Sequence, residues 1–378
     1  MRRTGALAGR FAGSAVPSAP VQSEVCVRVV VTGAGGYVGS RLVPALLEAG
    51  HDVTATFTNP ASAVRFWWAD RVRVVGMDIL DRASVRAACQ GADALYYLIH
   101  GLGGHDFATT DRQGAYNAAH AAVREGVGRI AYLGGLVPEL DDSDLSPHLR
   151  SRLEVEQVLT DSGVTTHALR AAMVIGSGST SFEIMRQISE RMPVQALPTW
   201  MRSRVEPVAV TDVVAALVGT LTAPPASRAY DIGSGEPLAY SALLRRYARL
   251  AGLTRVQVRV PFVPTGLVAR LAPVLTAAPA PTVQTLVESL HHDMVCREED
   301  FRTHLLPQGH RLVGVGEALD RALAVPADAV PDRDRDIVGP LHSDASWAGG
   351  LVSRADGRPV HHRVGDWRDV LLGPPPAR

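Results

Sequence analysis

Three glycines at GxxGxxG spacing, Gly33, Gly36 and Gly39 in the run VVVTGAGGYVG, carry the clearest chemistry in this sequence. The valines before them read as a buried strand and the apolar residues after them recur at helical spacing, so the glycines fall at a strand-to-helix turn. Gly33 permits a tight bend, Gly36 lets the backbone approach a diphosphate with no Cβ in the way, and Gly39 lets the helix pack close to the strand. The helix start then offers unpaired N–H groups and a positive dipole end to phosphate oxygens. A glycine-rich turn without a ligand is the competing reading, and the alternation of strands and helices downstream speaks against it.

An acid about 20 residues after such glycines, at the end of the second strand, bonds the adenosine ribose and selects NAD. Here that end reads TATFTNP, where Thr56, Thr58 and Asn59 are neutral, so no acid repels a 2′-phosphate and no arginine clamps one. Arg65 is near enough in sequence to reach in, and the expected cofactor is NADP(H) or NAD(H), with NADP slightly favoured. Asp78, just after the third strand, is placed either to accept from an adenine amino group or to cap the next helix.

Other reactive types are arranged less productively. The pairs His291–His292 and His361–His362 have no carboxylate or cysteine at ligand spacing, so no metal is expected. Ser177, Ser179 and Ser181 lack the strand–GxSxG–helix setting of a nucleophile and read as loop and helix cap. Trp67 and Trp68, beside Arg65 and Arg71, read as a hydrophobic anchor rather than a stacking platform. Cys26, Cys89 and Cys296 lie far apart with no CxxC spacing, which fits a reducing cytoplasm.

The elements that must position the glycine turn follow a doubly wound order. Strands are expected at 25–32, 52–57, 72–76, 94–100, 129–133 and 165–174, with helices at 37–49, 81–89, 108–125 and 146–161 between them. The fold class is therefore α/β: a Rossmann doubly wound parallel sheet with a smaller mixed C-terminal substrate lobe. Four segments are expected: a disordered extension at 1–24, the nucleotide-binding core at 25–175, the lobe and a helical extension at 176–325, and a linker-like tail at 326–378, rich in Pro, Gly, Asp, Arg and His.

Lysine plus arginine equals aspartate plus glutamate at 38 each, so no global field favours nucleic acid. The N-terminal stretch lacks a secretory apolar run. Residues 260–280 are cut by prolines, whereas a membrane-spanning helix needs roughly 20 uninterrupted apolar residues. A cytoplasmic protein with a small-molecule substrate is expected; peripheral membrane contact and oligomeric state stay open.

Several segments in this order, VTGAGGYVG, VGMDILD, DALYYLIHG, GVGRIAYLGGL, LSPHLRSRLEVEQVL, SGVTTHALRAAMVIG and PVAVTDVVAAL, resemble the atypical short-chain dehydrogenases/reductases. The match is to their NmrA-like, NAD(P)H-binding branch, related to the 39-kDa subunit group of respiratory complex I, over about residues 27 to 325. The resemblance implies Tyr37 and Val38 at the pyrophosphate, Asp78 and Ile79 at the adenine, and Ile99, His100 and Gly101 along the ribose and phosphates. It also implies that Ala171 to Ile175 flank the nicotinamide and that Asp212 braces the second lobe.

The departure is at the centre of that family's chemistry. Its YxxxK pair puts tyrosine and lysine on one helix face, and the lysine charge lowers the tyrosine pKa. By the resemblance, His148 and Arg152 stand at those positions, and Gly134 and Gly135 stand where a serine would steady the substrate carbonyl. Arg152 is a clamp for the nicotinamide ribose or a phosphate, since its pKa is too high for a proton relay. His148 is either an acid near neutral pH or a surface residue at a helix start. The motif resembling LHSDASWAGG leads, in related longer proteins, into an appended domain; the expectation here is a lost or frame-shifted domain. The sequence thus supports an oxidoreductase acting on a small apolar carbonyl-type compound, against a non-catalytic NAD(P)H-binding redox sensor or assembly subunit, with nucleotide-sugar epimerase chemistry weakest.

Overall fold

Val29, Val30 and Val31 are almost wholly excluded from solvent, as the middle of a parallel sheet covered on both faces requires. The computed structural model describes residues 26–362 apart from 102–105, 139–144, 262–265, 267, 269, 271 and 326–328. The expected extension at 1–24 lies outside the described residues.

Strand β1 (Arg28–Thr32) passes through the glycine turn into α1 (Tyr37–Glu48), then β2 (Asp52–Phe57) and β3 (Arg73–Gly76). Helix α2 (Arg82–Cys89), β4 (Ala94–Tyr97), α3 (Phe107–Glu125), β5 (Arg129–Gly135), α4 (Pro147–Thr160) and β6 (Thr165–Ala171) complete the winding. The chain leaves the sheet through β7 (Met173–Ile175), α5 (Thr180–Arg191), β8 (Val194–Pro198), β9 (Arg204–Val205) and β10 (Pro207–Ala209). It returns through α6 (Val210–Gly219) and β11 (Arg228–Ile232). Beyond lie β12 (Leu238–Ala239), α7 (Tyr240–Leu250), β13 (Val256–Val260), α8 (Ala280–Glu288), α9 (Phe301–His304), α10 (Val315–Ala322) and the hairpin β14 (Val352–Ala355) and β15 (Arg358–His361).

The main sheet has seven parallel strands in the order β11-β6-β5-β4-β1-β2-β3. The winding reverses between β1 and β4, and a crevice opens at the carboxyl ends of such a pair. Two expectations need correction. Strand β11, read as part of the lobe beyond residue 175, pairs in parallel with β6 and extends the main sheet. The strand expected over 165–174 is broken at Ala172, and its second piece, β7, pairs with β10 instead.

The segment read as linker also differs. Within 329–362, Val338 and Val352 are buried at 0% and 1% exposure. Two buried arginines hold this segment down. Arg41 on α1 meets Asp344 at 2.9 Å and donates to the Ile337 carbonyl at 2.8 Å. Arg186 on α5 donates to the Val352 carbonyl at 2.7 Å. Buried charge thus takes the place of the periodic apolar residues that sequence patterning detects.

Candidate active site

The glycine turn has the geometry its residues demand. Gly33 adopts φ +69°, open to glycine at little cost. A Cβ on Gly39 would lie 2.3 Å from the Gly33 carbonyl oxygen and 2.9 Å from the Ala34 Cα, so α1 abuts the turn only because Gly39 has no side chain. Gly36 is the N-cap of α1, offers no side-chain cap, and donates to the Gly33 carbonyl at 2.9 Å. The first-turn amides of α1, from Tyr37 to Gly39, are therefore directed out of the helix end. Thr32 ties the turn to β4: its hydroxyl donates to the Tyr96 carbonyl and accepts from the Leu98 amide.

Tyr37 offers the helix start its backbone alone. Its hydroxyl is buried without a partner among the described residues, and a Cβ on Gly176 would lie 2.0 Å from it. The ring therefore points into the protein, with the Arg41 guanidinium 4.0 Å from its centroid. Burial raises the Tyr37 pKa, so the phenol is no proton donor to a ligand in the crevice. Val38 is half-buried against the core.

Thr58 is exposed just past β2, and Asn59 spends its Oδ1 on the Ala61 amide. Arg65 comes back to the glycine turn: its Nη2 donates to the Gly35 carbonyl at 3.1 Å, and its guanidinium lies 4.7 Å from the Phe66 centroid. Asp78 is exposed, with Oδ1 accepting from the Leu80 amide, while Asp81 rather than Asp78 caps α2. Ile79 packs beside Gly114 and accepts at its carbonyl from Asn117. Trp68 is the anchor expected, 1% exposed with its indole donating to the Ser40 carbonyl.

At the carboxyl ends of β4 and β5 the structure gathers Ile99, His100, Gly101, Gly134, Gly135, His148 and Arg152. Ile99 lies beside Gly33. A Cβ on Gly135 would lie about 4 Å from Leu149, from the Ala171 carbonyl and from the Arg152 side chain, which places Arg152 at the floor of the crevice next to the end of β6. Gly134 packs against the Tyr132 ring. Arg152 donates through Nη1 to the Leu133 carbonyl at 3.3 Å, and its buried Nε has no partner among the described residues. An orphaned guanidinium N–H beside a side-chain-free cradle fits a dinucleotide, with phosphate or ribose oxygen as the missing acceptor.

His148 corrects the expectation of an acid near neutral pH. It is 8% exposed, and burial followed by the Arg152 charge holds its pKa down at about 3, so the imidazole is neutral at pH 7. His100 is exposed, with Arg152 and His148 among the groups around it. The unfolded chain binds a proton to His148 below about pH 6.5 that the native state refuses until about pH 3, so native stability falls with acid across that window. Urea unfolding of His148→Phe is expected to show a shallower loss between those pH values, by up to ~1.4 kcal/mol per pH unit. Parallel profiles for the two proteins would refute the assignment.

One positioning group escaped the sequence reading. Asp111 on α3 is 5% exposed; its Oδ1 accepts from the Gly101 amide at 2.6 Å and its Oδ2 from Ser151 at 3.2 Å. It fastens the loop after β4 to the helix that carries His148 and Arg152. Its signal was legible: the carboxylate falls on the same buried stripe of α3 as Ala115, Ala118 and Ala122. Asp212 is 0% exposed and accepts from the Val313 amide and from His310, bracing α6 against the later chain. Ser179 is the N-cap residue of α5, though its hydroxyl donates to the Val174 carbonyl rather than capping.

The lobe adds a cavity of about 350 Å³ between α5, β8, α7 and α8. Its walls are apolar, and Ala172 and Met173 carry it to the end of β6. The cavity lining begins at Ala172, one residue after Ala171, whose carbonyl oxygen would lie 4.0 Å from a Cβ on Gly135. Among the described residues no His, Cys, Asp and Glu cluster could hold a metal, and no helix is long and apolar enough to cross a membrane.

A reversing parallel sheet, an uncapped glycine turn and a crevice floored by Arg152 define a Rossmann-type dinucleotide-binding protein. Residues 33–217 match the NAD(P)H-binding family. An uncharacterized protein of Mycobacterium tuberculosis (strain ATCC 25618 / H37Rv) is 29% identical over 150 residues, covering 40% of this chain and 15% of that protein. The chain therefore matches only a small part of the length of that relative. The 2-alkyl-3-oxoalkanoate reductase of Stenotrophomonas maltophilia is 25% identical over 279 residues, covering 62% of this chain and 79% of the reductase. The triphenylmethane reductase of Citrobacter sp., solved with NADP(H), shares the fold at a TM-score of 0.61 and 20% identity, covering 78% of this chain and 100% of that one.

Proposed function

We propose that the protein is an NAD(P)H-dependent reductase of small apolar carbonyl-type compounds, in which the crevice holds the dinucleotide and the lobe cavity holds the substrate. The observation that carries this reading is the buried, unpartnered Arg152 Nε beside Gly135 at the carboxyl ends of the strands. The Stenotrophomonas relative is named for a 2-alkyl-3-oxoalkanoate, a keto acid carrying alkyl chains, which is in keeping with apolar cavity walls.

When bound, the reduced nicotinamide supplies a hydride to an electrophilic carbon. The first-turn amides of α1 hold the diphosphate, and Arg152 completes its hydrogen bonding on a ribose or phosphate oxygen. A neutral His148 donates a hydrogen bond that polarises the carbonyl, and the proton that ends the reaction comes from water. His148 does not supply it as imidazolium at pH 7, and the sequence contains no lysine to lower the pKa of a tyrosine. NADPH oxidation over a panel of apolar ketones tests the reading, and turnover of none of them by nucleotide-loaded protein overturns it. The same shortage of acids favours a second reading, a non-catalytic nucleotide-binding protein, which predicts nucleotide affinity without turnover.

Arg65 is assigned to the 2′-phosphate in this reading, because it stands beside the glycine turn past the end of β2. A charge-assisted hydrogen bond contributes roughly 1.5–3 kcal/mol. Arg65→Ala is accordingly expected to weaken NADPH by about tenfold or more while leaving NADH within about twofold, as calorimetry would measure. Equal effects on both nucleotides would remove Arg65 from the phosphate.

A further inference from the structure

We propose that the lobe cavity binds an amphipathic monocarboxylate, its apolar chain against a wall of methionines and its carboxylate at the Arg204 guanidinium on the rim. The proposal rests on reading the lobe as the substrate site and narrows the substrate to one charge class.

Five of the seven methionines in the sequence, Met173, Met185, Met192, Met201 and Met294, line this one cavity. Unbranched thioether side chains adjust to irregular apolar shapes, so the wall suits a flexible chain better than one rigid outline. The volume of about 350 Å³ is near the small end of the range of roughly 300–1,000 Å³ that encloses small-molecule ligands, which favours a chain of medium length.

The charge at the rim has one sign. Among the described residues that line the cavity there is an arginine, Arg204, and a histidine, His292, but no aspartate or glutamate. Arg204 is exposed and His292 half-buried, so both stand where the cavity reaches the surface. Asp293 is the nearby acid; its Oδ1 accepts from the Arg204 backbone amide at 2.8 Å, and it does not line the cavity. A carboxylate at the rim keeps its hydration and gains a guanidinium partner, whereas an ammonium head at the same rim faces the like charge of Arg204 with no lining carboxylate to offset it.

Calorimetric titration of the whole protein with dodecanoate, dodecanol and dodecylammonium, each below its micelle concentration, decides the matter. Dodecanoate is expected to bind at least tenfold more tightly than dodecanol, with dodecylammonium weakest. Arg204→Ala should bring acid and alcohol to within about twofold, and Leu286→Trp, which fills the cavity from α8, should weaken both by tenfold or more. NADPH affinity, measured on the same samples, reports that each variant is folded. No saturable dodecanoate binding, equal binding of acid and alcohol by the wild type, or an acid preference that survives Arg204→Ala would overturn the proposal while NADPH binding leaves the nucleotide site intact. Dodecanoate binding in a protein that fails to bind NADPH would support the cavity assignment and remove the reductase reading instead.

Discussion

Arg186→Met is expected to cost about 3–5 kcal/mol of stability, because it strands two buried carboxylates. Glu183 and Glu190 are 0% and 7% exposed, and Arg186 lies 3.4 Å from the first and 3.3 Å from the second. The same glutamates accept from the Gly349 and Leu351 amides, and Tyr247 donates to Glu190 at 2.5 Å, so the cluster joins α5, α7 and the late segment into one unit. Without the guanidinium each carboxylate keeps its backbone donors but loses its counter-charge inside the protein. Urea unfolding should show a lower midpoint with an unchanged denaturant slope. Adding Glu183→Gln and Glu190→Gln should recover much of the loss, since removing every charge costs less than removing one sign. A single-variant loss under about 1 kcal/mol would show that hydration already reaches the cluster.

That cluster also explains what the sequence concealed. The glycine turn, six of the seven main-sheet strands and the helices of the first half were legible, because each is encoded locally: valine runs, 3.6-residue periodicity, and a glycine or a capping serine at the ends. Strand β11 falls within the segment expected as lobe, and its place beside β6 depends on long-range pairing that no local pattern carries. The segment from 326 reads as linker because its residues are proline, glycine and charged types; the Asp344 carboxylate and the Ile337 and Val352 carbonyls are held by arginines up to about 300 positions away. In the site itself, residue types were legible and protonation was not. His148 lies in the first turn of α4, and its chemistry is set by burial and by Arg152 one turn on, which are properties of packing. Arg65 was within view as a residue near the second strand, but only the fold brings it to the Gly35 carbonyl.

Gly39→Val is expected to abolish useful dinucleotide binding, lowering NADPH affinity by a hundredfold or more. Its Cβ alone would sit 2.3 Å from the Gly33 carbonyl oxygen and 2.9 Å from the Ala34 Cα, and both are backbone atoms of the turn that cradles the diphosphate. Relief requires α1 to move away from β1, and the amides of Tyr37, Val38 and Gly39 move with it, out of register with the phosphate oxygens. Overpacking of this kind also costs about 1–3 kcal/mol of stability, so affinity must be read at a temperature where circular dichroism shows the variant folded. Gly128→Ala is the matched control: its Cβ would meet only the Asp93 carbonyl, at 3.6 Å, an ordinary contact at the amino end of β5. The control should bind NADPH as the wild type does. A Gly39→Val protein that is folded and binds NADPH within twofold of wild type would mean that the diphosphate is not held at the start of α1, and the crevice floored by Arg152 would lose its assigned ligand.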